Sequence, residues 1–335
     1  MKSIFKVFFI ALLAGAFATQ ALNTLAVFTK TVSATTYRYL VAGLDDAADN
    51  TDVLVMVSYE SVSNESSVLQ IPRDTYCNFD GYQNKINQLY SHFRRKEDSP
   101  QVAMKKTADF IGQIFGISFD GYVAMTTKSF REAVDSIGGV LINLPMDFVY
   151  ESKRPGESFV LKRGQNLLDG KKAEVFIRHR KSYAMGDLGR IDAQKIFFGG
   201  LYKTFTEHIG FDKLVKLAFS LDKGVVTDFS FTEAATAFIK NFSRLKQAGI
   251  TYVTVPGAPF LHSSGTSYYV LNKKACERLS SERLFSSDTF DRNKICTNPA
   301  EAEIEEIYYR ENITYREYKQ GDIDDIIIAR SMKGQ

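Results

Sequence analysis

The sequence predicts an α/β fold, a three-layer α-β-α sandwich with a mixed central sheet. Three observations carry that expectation. Short apolar runs that read as strands alternate with longer runs at helical spacing, which places helices on both faces of one sheet. The first three strands are joined by connections too short for crossovers, so they form an antiparallel meander and make the sheet mixed. A chain of 335 residues, 44% apolar and 24% charged, is also ample for a packed core and excludes wholesale disorder.

The elements follow in order. TYRYLVAGLDD reads as a buried strand ending in Asp45 and Asp46. TDVLVMVSYE alternates as a second strand, SVSNES turns the chain, and SSVLQIPRD is a third strand. In a meander, Asp45, Asp46, Asp52, Arg73 and Asp74 then lie at one edge of the sheet. Helical spacing covers 101–115, 127–137, 191–206, 211–221 and 231–247. Gly138 and Gly139 stop the second of these, and VLINLP is a strand closed by Pro145. AEVFIRHR, 173–180, reads as another strand, whose period of two points Arg178 and Arg180 to the same face and His179 to the other. RIDAQKIFFGGLYKTF then places Arg190 and Gln194 on one side of a helix near its start. The tail from about 297 is charged and weakly patterned, and carries no assignable role.

The N-terminus has its own signal. Residues 7–29 carry no charge between Lys6 and Lys30, and a membrane-spanning helix needs roughly 20 such residues. Ala16-Phe17-Ala18 offers a cleavage pattern. The apolar character persists beyond it to Phe28, and Lys2 and Lys6 favour a cytoplasmic N-terminus, so an uncleaved anchor with an exported remainder is expected. Of three cysteines, Cys276 and Cys296 could pair outside the cell and Cys77 would be left over. No spacing resembles a zinc site.

Three guanidiniums, Arg178, Arg180 and Arg190, brought together with the amide of Gln194, repel one another and call for an anion. A diphosphate fits, since guanidinium forks match phosphate oxygens and a helix N-terminus adds backbone donors. The carboxylates of Asp45 and Asp52 oppose an anion unless a hard cation bridges them, and Mg²⁺ takes one or two carboxylates plus phosphate oxygens. Together these parts suit phosphoryl transfer. The plainer reading makes each arginine a salt-bridged surface residue, with Asp187 neutralising Arg190 and His179 structural. Phe197, Phe198 and Leu201 either line a groove for a lipid or are ordinary core. A net charge of +3 and the lack of a reading helix speak against nucleic acid.

The ordered motifs resemble the LytR-CpsA-Psr family. They are Gly43-Leu44-Asp45, Thr51-Asp52-Val53, Pro72-Arg73-Asp74, Lys85-Ile86-Asn87, Val134-Asp135-Ser136-Ile137-Gly138-Gly139-Val140, Leu168-Asp169-Gly170, Arg178-His179-Arg180, Gly186-Asp187, Arg190 and Gln194. Weaker likeness at Val255-Pro256-Gly257 and Ser267-Tyr268-Tyr269 extends it to about residue 280. Thr75, Tyr76 and Cys77 depart from it, where several relatives carry a further basic or polar side chain.

The resemblance implies a membrane-anchored, outward-facing phosphotransferase. It would move a glycopolymer (teichoic acid, capsule or another wall polysaccharide) from a polyprenyl-pyrophosphate carrier to the C6 hydroxyl of peptidoglycan N-acetylmuramic acid. The implied layout is a cytoplasmic stub and signal anchor over 1–30, an extracellular catalytic domain over 35–280 and an extension over 281–335. Asp45 and Asp52 would hold Mg²⁺, and Arg73, Lys85, Arg178, Arg180, Arg190 and Gln194 the diphosphate. Asp52 is the nearest candidate for a base, though a metal-bound carboxylate is a poor one. Competing roles for the same residues are a polyprenyl-pyrophosphate binder or sensor, and a pyrophosphatase.

Overall fold

The computed structural model describes residues 36–45, 50–79, 82–97, 99–180, 183, 186–207, 210, 213, 217, 224–228, 244, 246–285 and 302–325. The N-terminal apolar run, Asp46 and Cys296 lie outside the described residues, as do most of 211–221 and 231–247. Among the described residues no helix is long and apolar enough to cross a membrane.

The chain opens with strands β1 (Thr36–Leu44), β2 (Thr51–Glu60) and β3 (Glu65–Ile71), then a hairpin of β4 (Tyr76–Phe79) and β5 (Tyr82–Lys85). Helices α1 (Leu89–Lys96) and α2 (Pro100–Phe115) lead to β6 (Gly121–Thr126), and α3 (Thr127–Ser136) leads to β7 (Val140–Leu144). Next come β8 (Phe148–Tyr150), β9 (Phe159–Leu161), β10 (Gly164–Leu168), α4 (Gly170–Arg178) and α5 (Asp187–Glu207). The rest comprises β11 (Val225–Thr227), β12 (Gly249–Thr254), β13 (Gly257–Leu261), β14 (Ser267–Leu271), α6 (Lys273–Arg283), α7 (Ala302–Tyr309) and β15 (Glu317–Lys319).

Two compact units share this chain: one holds the described residues of 5–126 and 225–317, the other those of 127–224 and 318–335. Six strands of the first form a sheet in the order β11-β6-β1-β2-β3-β12, and β15, where the chain passes to the second unit, makes seven. The meander is as expected: β1 and β2 are antiparallel, as are β2 and β3. The pairs β1–β6 and β3–β12 are parallel, so the sheet is mixed and the class is α/β. β2 is buried at nine of its ten positions, which marks a central strand covered on both faces. Helix α2 begins with Ser99 accepting a bond from Val102 N–H and Pro100 in the first turn, and it ends on Gly116 at φ 62°.

The second unit is helical around a small β7–β10 ribbon. Its close approaches explain the glycines and acids of the motifs. Gly138 and Gly139, at φ 85° and 94°, close α3, while Asp135 Oδ1 accepts the Gly170 N–H at 2.7 Å. A Cβ on Gly170 would stand 2.4 Å from the Arg131 carbonyl oxygen, so only glycine lets α4 start against α3.

One element differs from the expectation. Residues 173–180 are not a strand; 170–178 are helix α4, followed by His179 and Arg180 in extended or irregular backbone. Asp169 accepts the Lys172 N–H at 2.8 Å and caps the helix. Ala173, Phe176 and Ile177 are buried at helical spacing. The apolar run Val175-Phe176-Ile177 imitates a strand and is too short to reveal its period. Helix α5 likewise starts at Asp187, four residues earlier than the spacing suggested.

The tail also has structure. Ile304, Ile307 and Tyr308 of α7 are buried, and Asn272 Nδ2 donates to the Ile307 and Arg310 carbonyls at 3.0 and 2.8 Å. In the second unit, Gln320 Nε2 donates to the Gly199 carbonyl at 3.1 Å, and Ile323 lies where a Cβ on Gly199 would fall.

Candidate functional site

In the sheet unit, register places the charges. Leu44 pairs with Thr51 and Leu54 with Ile71, so the residues just beyond these pairs share one edge. There Arg73 Nη1 meets Asp52 Oδ1 at 2.6 Å, both largely buried. Asp74 follows on the same chain and takes Lys85 Nζ at 2.9 Å. The β4–β5 hairpin delivers Lys85, with Ile86 N–H bonded to the Thr75 carbonyl at 2.7 Å and Asn87 N–H to the Arg73 carbonyl at 3.2 Å. Lys85 Nζ also stands 5.8 Å from the centre of the Tyr268 ring. Asp45 follows the last residue of β1, its N–H donating to the Asn50 carbonyl at 2.9 Å.

In the helical unit, α4 and α5 carry the other cations. Arg178 is the last residue of α4. Its Nη1 lies 2.9 Å from Glu174 one turn earlier and donates to Thr127 Oγ1 at 3.2 Å. Glu174 also takes Arg131 at 2.9 Å. Arg190, 2% exposed, meets Asp187 at 2.9 Å, and Arg180 Nη1 lies 3.9 Å from the same carboxylate. Gln194 is buried and donates to the Ile177 carbonyl at 3.0 Å, tying α5 to the last turn of α4. Two carboxylates, Glu174 and Asp187, therefore each serve two arginines.

Between the helices, the described residues His179 and Tyr183 pack on aromatic rings. Tyr183 is buried at 6.1 Å from Phe148, and Gly186, at φ 54°, turns the chain into α5. His179 sets its ring against Phe148 and Tyr150 at 5.9 and 5.2 Å, a structural role as the plainer reading had it. Arg178 and Arg180 therefore stand at a helix end and just beyond it, on Glu174 and Asp187 respectively, not on one strand face. Phe197, Phe198 and Leu201 are buried in the core.

Some placements went unread. Glu174 and Arg131 belong to the arginine cluster, and the signal for Glu174 was the i,i+4 Glu–Arg spacing that a helical reading of 170–178 exposes. The described residues contain no group of three or more His, Cys, Asp or Glu side chains arranged for a metal. Asp45 and Asp52 are hard oxygen donors at the sheet edge, with Asp52 on Arg73 and the neighbouring Asp74 on Lys85, and two carboxylates suit Mg²⁺ only when substrate oxygens complete the set. Cys77 and Cys276 are free and buried, and burial pushes both thiols well up, which removes them as nucleophiles.

The sequence matches the LytR_cpsA_psr family model over residues 18–283. The chain belongs to that family. Among curated relatives it is 26% identical over 247 residues to the polyisoprenyl-teichoic acid–peptidoglycan teichoic acid transferase TagV of Bacillus subtilis (strain 168), covering 70% of this chain and 60% of that protein, so less than two thirds of TagV's length is matched. It is 28% identical over 254 residues to a TagU transferase of the same description from Oceanobacillus iheyensis, covering 72% of this chain and 73% of the other. The crystal structure of B. subtilis TagV superposes with a TM-score of 0.62 at 23% identity, over 77% of this chain and all of that one, which shows a shared fold. A Streptococcus agalactiae protein, gbs0355, gives a TM-score of 0.66 at 16% identity over 88% of this chain.

Proposed function

We propose that this LytR_cpsA_psr family member transfers a glycopolymer from a polyprenyl-pyrophosphate carrier to the C6 hydroxyl of peptidoglycan N-acetylmuramic acid. The observation that carries the reading is that Arg178 at the end of α4, Arg180 just after it and Arg190 in the first turn of α5 each lie on a carboxylate shared with another arginine, with the Gln194 bond to Ile177 tying the two helices, an arrangement that a diphosphate suits. The names of TagV and TagU support it, since both are described as moving teichoic acid to peptidoglycan.

In this reading the acceptor oxygen bonds to the phosphorus that carries the sugar. The bond from that phosphorus to the bridging oxygen breaks, polyprenyl phosphate leaves, and the hydroxyl proton is given up. Arg178, Arg180 and Arg190 hold phosphate oxygens, and Arg73 and Lys85 are assigned to the same substrate by the motif order. Gln194 fixes the α4 end that presents Arg178. Asp45 and Asp52 would hold Mg²⁺, which when bound offsets diphosphate charge. The protein would sit in the membrane by residues 7–29, with its catalytic part outside the cell.

The test is reconstitution with a synthetic polyprenyl-pyrophosphate-linked disaccharide, uncrosslinked peptidoglycan and Mg²⁺, followed by mass spectrometry of digested muropeptides. A muropeptide carrying sugar phosphate supports transfer. Bound lipid without product would mark a binder, and phosphate release without peptidoglycan a pyrophosphatase; either would overturn the transferase reading.

A further inference from the structure

Glu174 stands between two arginines. Its Oε1 lies 2.9 Å from Arg178 Nη1 and its Oε2 2.9 Å from Arg131 Nη1. The carboxylate side chain is only 16% exposed, whereas Arg178 and Arg131 are 37% and 41% exposed. Glu174 sits one turn before Arg178 on the same helix, so it stays beside that arginine whatever the guanidinium binds. A carboxylate in this place repels an incoming diphosphate, and a largely buried carboxylate left alone is costly. Arg131 comes from a different helix, α3, held against α4 at Gly170 by the approach that only glycine permits and by the Asp135 bond to Gly170 N–H.

We propose that Arg131 is a positioning residue for Arg178. It retains Glu174 when Arg178 turns from that carboxylate to a diphosphate oxygen, so the exchange leaves no unpaired carboxylate beside the substrate. Arg178 is 37% exposed and regains water or a phosphate oxygen when it leaves, so its release costs little, provided Glu174 keeps its second partner. This rests on the reading above, in which Arg178 binds diphosphate.

The experiment measures Kd for geranylgeranyl pyrophosphate, and KM and kcat for transfer, with the full chain and its Arg131→Ala, Arg131→Gln, Glu174→Gln and Arg131→Ala/Glu174→Gln variants. Removing the Arg131 charge by either substitution raises Kd and KM about fivefold with kcat unchanged, the size of an exposed charge interaction. Removing the Glu174 charge as well returns Kd to within about twofold of the parent, because no carboxylate then remains to repel the diphosphate. A rescue of this kind separates the proposal from a purely structural role for Arg131, which Glu174→Gln would not repair. Parent-like Kd in both Arg131 variants, or a double variant as weak as the single, overturns the proposal. The parent and Arg178→Ala are measured beside them: if the parent binds and Arg178→Ala does not, the diphosphate reading stands even where the Arg131 result fails. A parent that binds no pyrophosphate overturns both.

Discussion

The two units place their charges by different means. In the sheet unit, Arg73 faces Asp52 and Lys85 faces Asp74, one cation to one carboxylate, at positions set by strand register. In the helical unit, Glu174 and Asp187 are each shared by two arginines, at positions set by a helix cap, a helix end and a helix start. The first arrangement, with Asp45, Asp52 and Asp74 beside Arg73 and Lys85, holds no more cations than carboxylates before substrate arrives. The second shares each of its two carboxylates between two guanidiniums, so it is where an anion gains most and where a lost side chain is felt differently according to its burial.

That contrast can be broken most severely at Arg190. Its guanidinium is buried against Asp187, so Arg190→Ala leaves a carboxylate without its nearest partner and is expected to lower stability by about 3 kcal/mol in urea unfolding. Gly170→Ala comes next. The added Cβ meets the Arg131 carbonyl at 2.4 Å, and separating α3 from α4 should cost about 2 kcal/mol and weaken substrate affinity as well. In the sheet unit a double-mutant cycle on Asp52→Asn and Arg73→Ala sharpens the comparison. This largely buried pair should show a coupling of about 2 kcal/mol, with each single variant folding normally by circular dichroism. Asp169→Ala removes the cap of α4 and should cost about 1 kcal/mol, an effect that a strand at 173–180 would not produce.

The same contrast explains what the sequence disclosed. Register is an integer count, so a meander of β1, β2 and β3 places Asp52 and Arg73 at one edge from chain direction alone, while their pairing is what the structure adds. The α4 region gave no such lever. Val175-Phe176-Ile177 is a short apolar run that fits a strand as well as a helix, and the decisive signals are the Asp169-Gly170 start and the buried trio Ala173, Phe176 and Ile177. The arginines were identified before their geometry was, because their chemistry and motif order do not depend on whether the backbone is extended or helical. The Glu174–Arg178 contact exists only when residues four apart share a face, so it is hidden by a period of two, and Arg131 reaches Glu174 from another helix, a long-range contact that local pattern does not encode. The order within 302–325 rests on long-range contacts, such as Asn272 capping α7 and Gln320 reaching Gly199, that local pattern does not encode.

The most direct measurement is the transfer rate of Arg178→Ala beside its melting temperature, using the reconstituted muropeptide assay. Arg178 is partly exposed and ends its helix, so the account predicts a loss of about 100-fold in rate, the scale of removing one charge-stabilising donor, with the melting temperature nearly unchanged. A parent-like rate in the folded variant would contradict it.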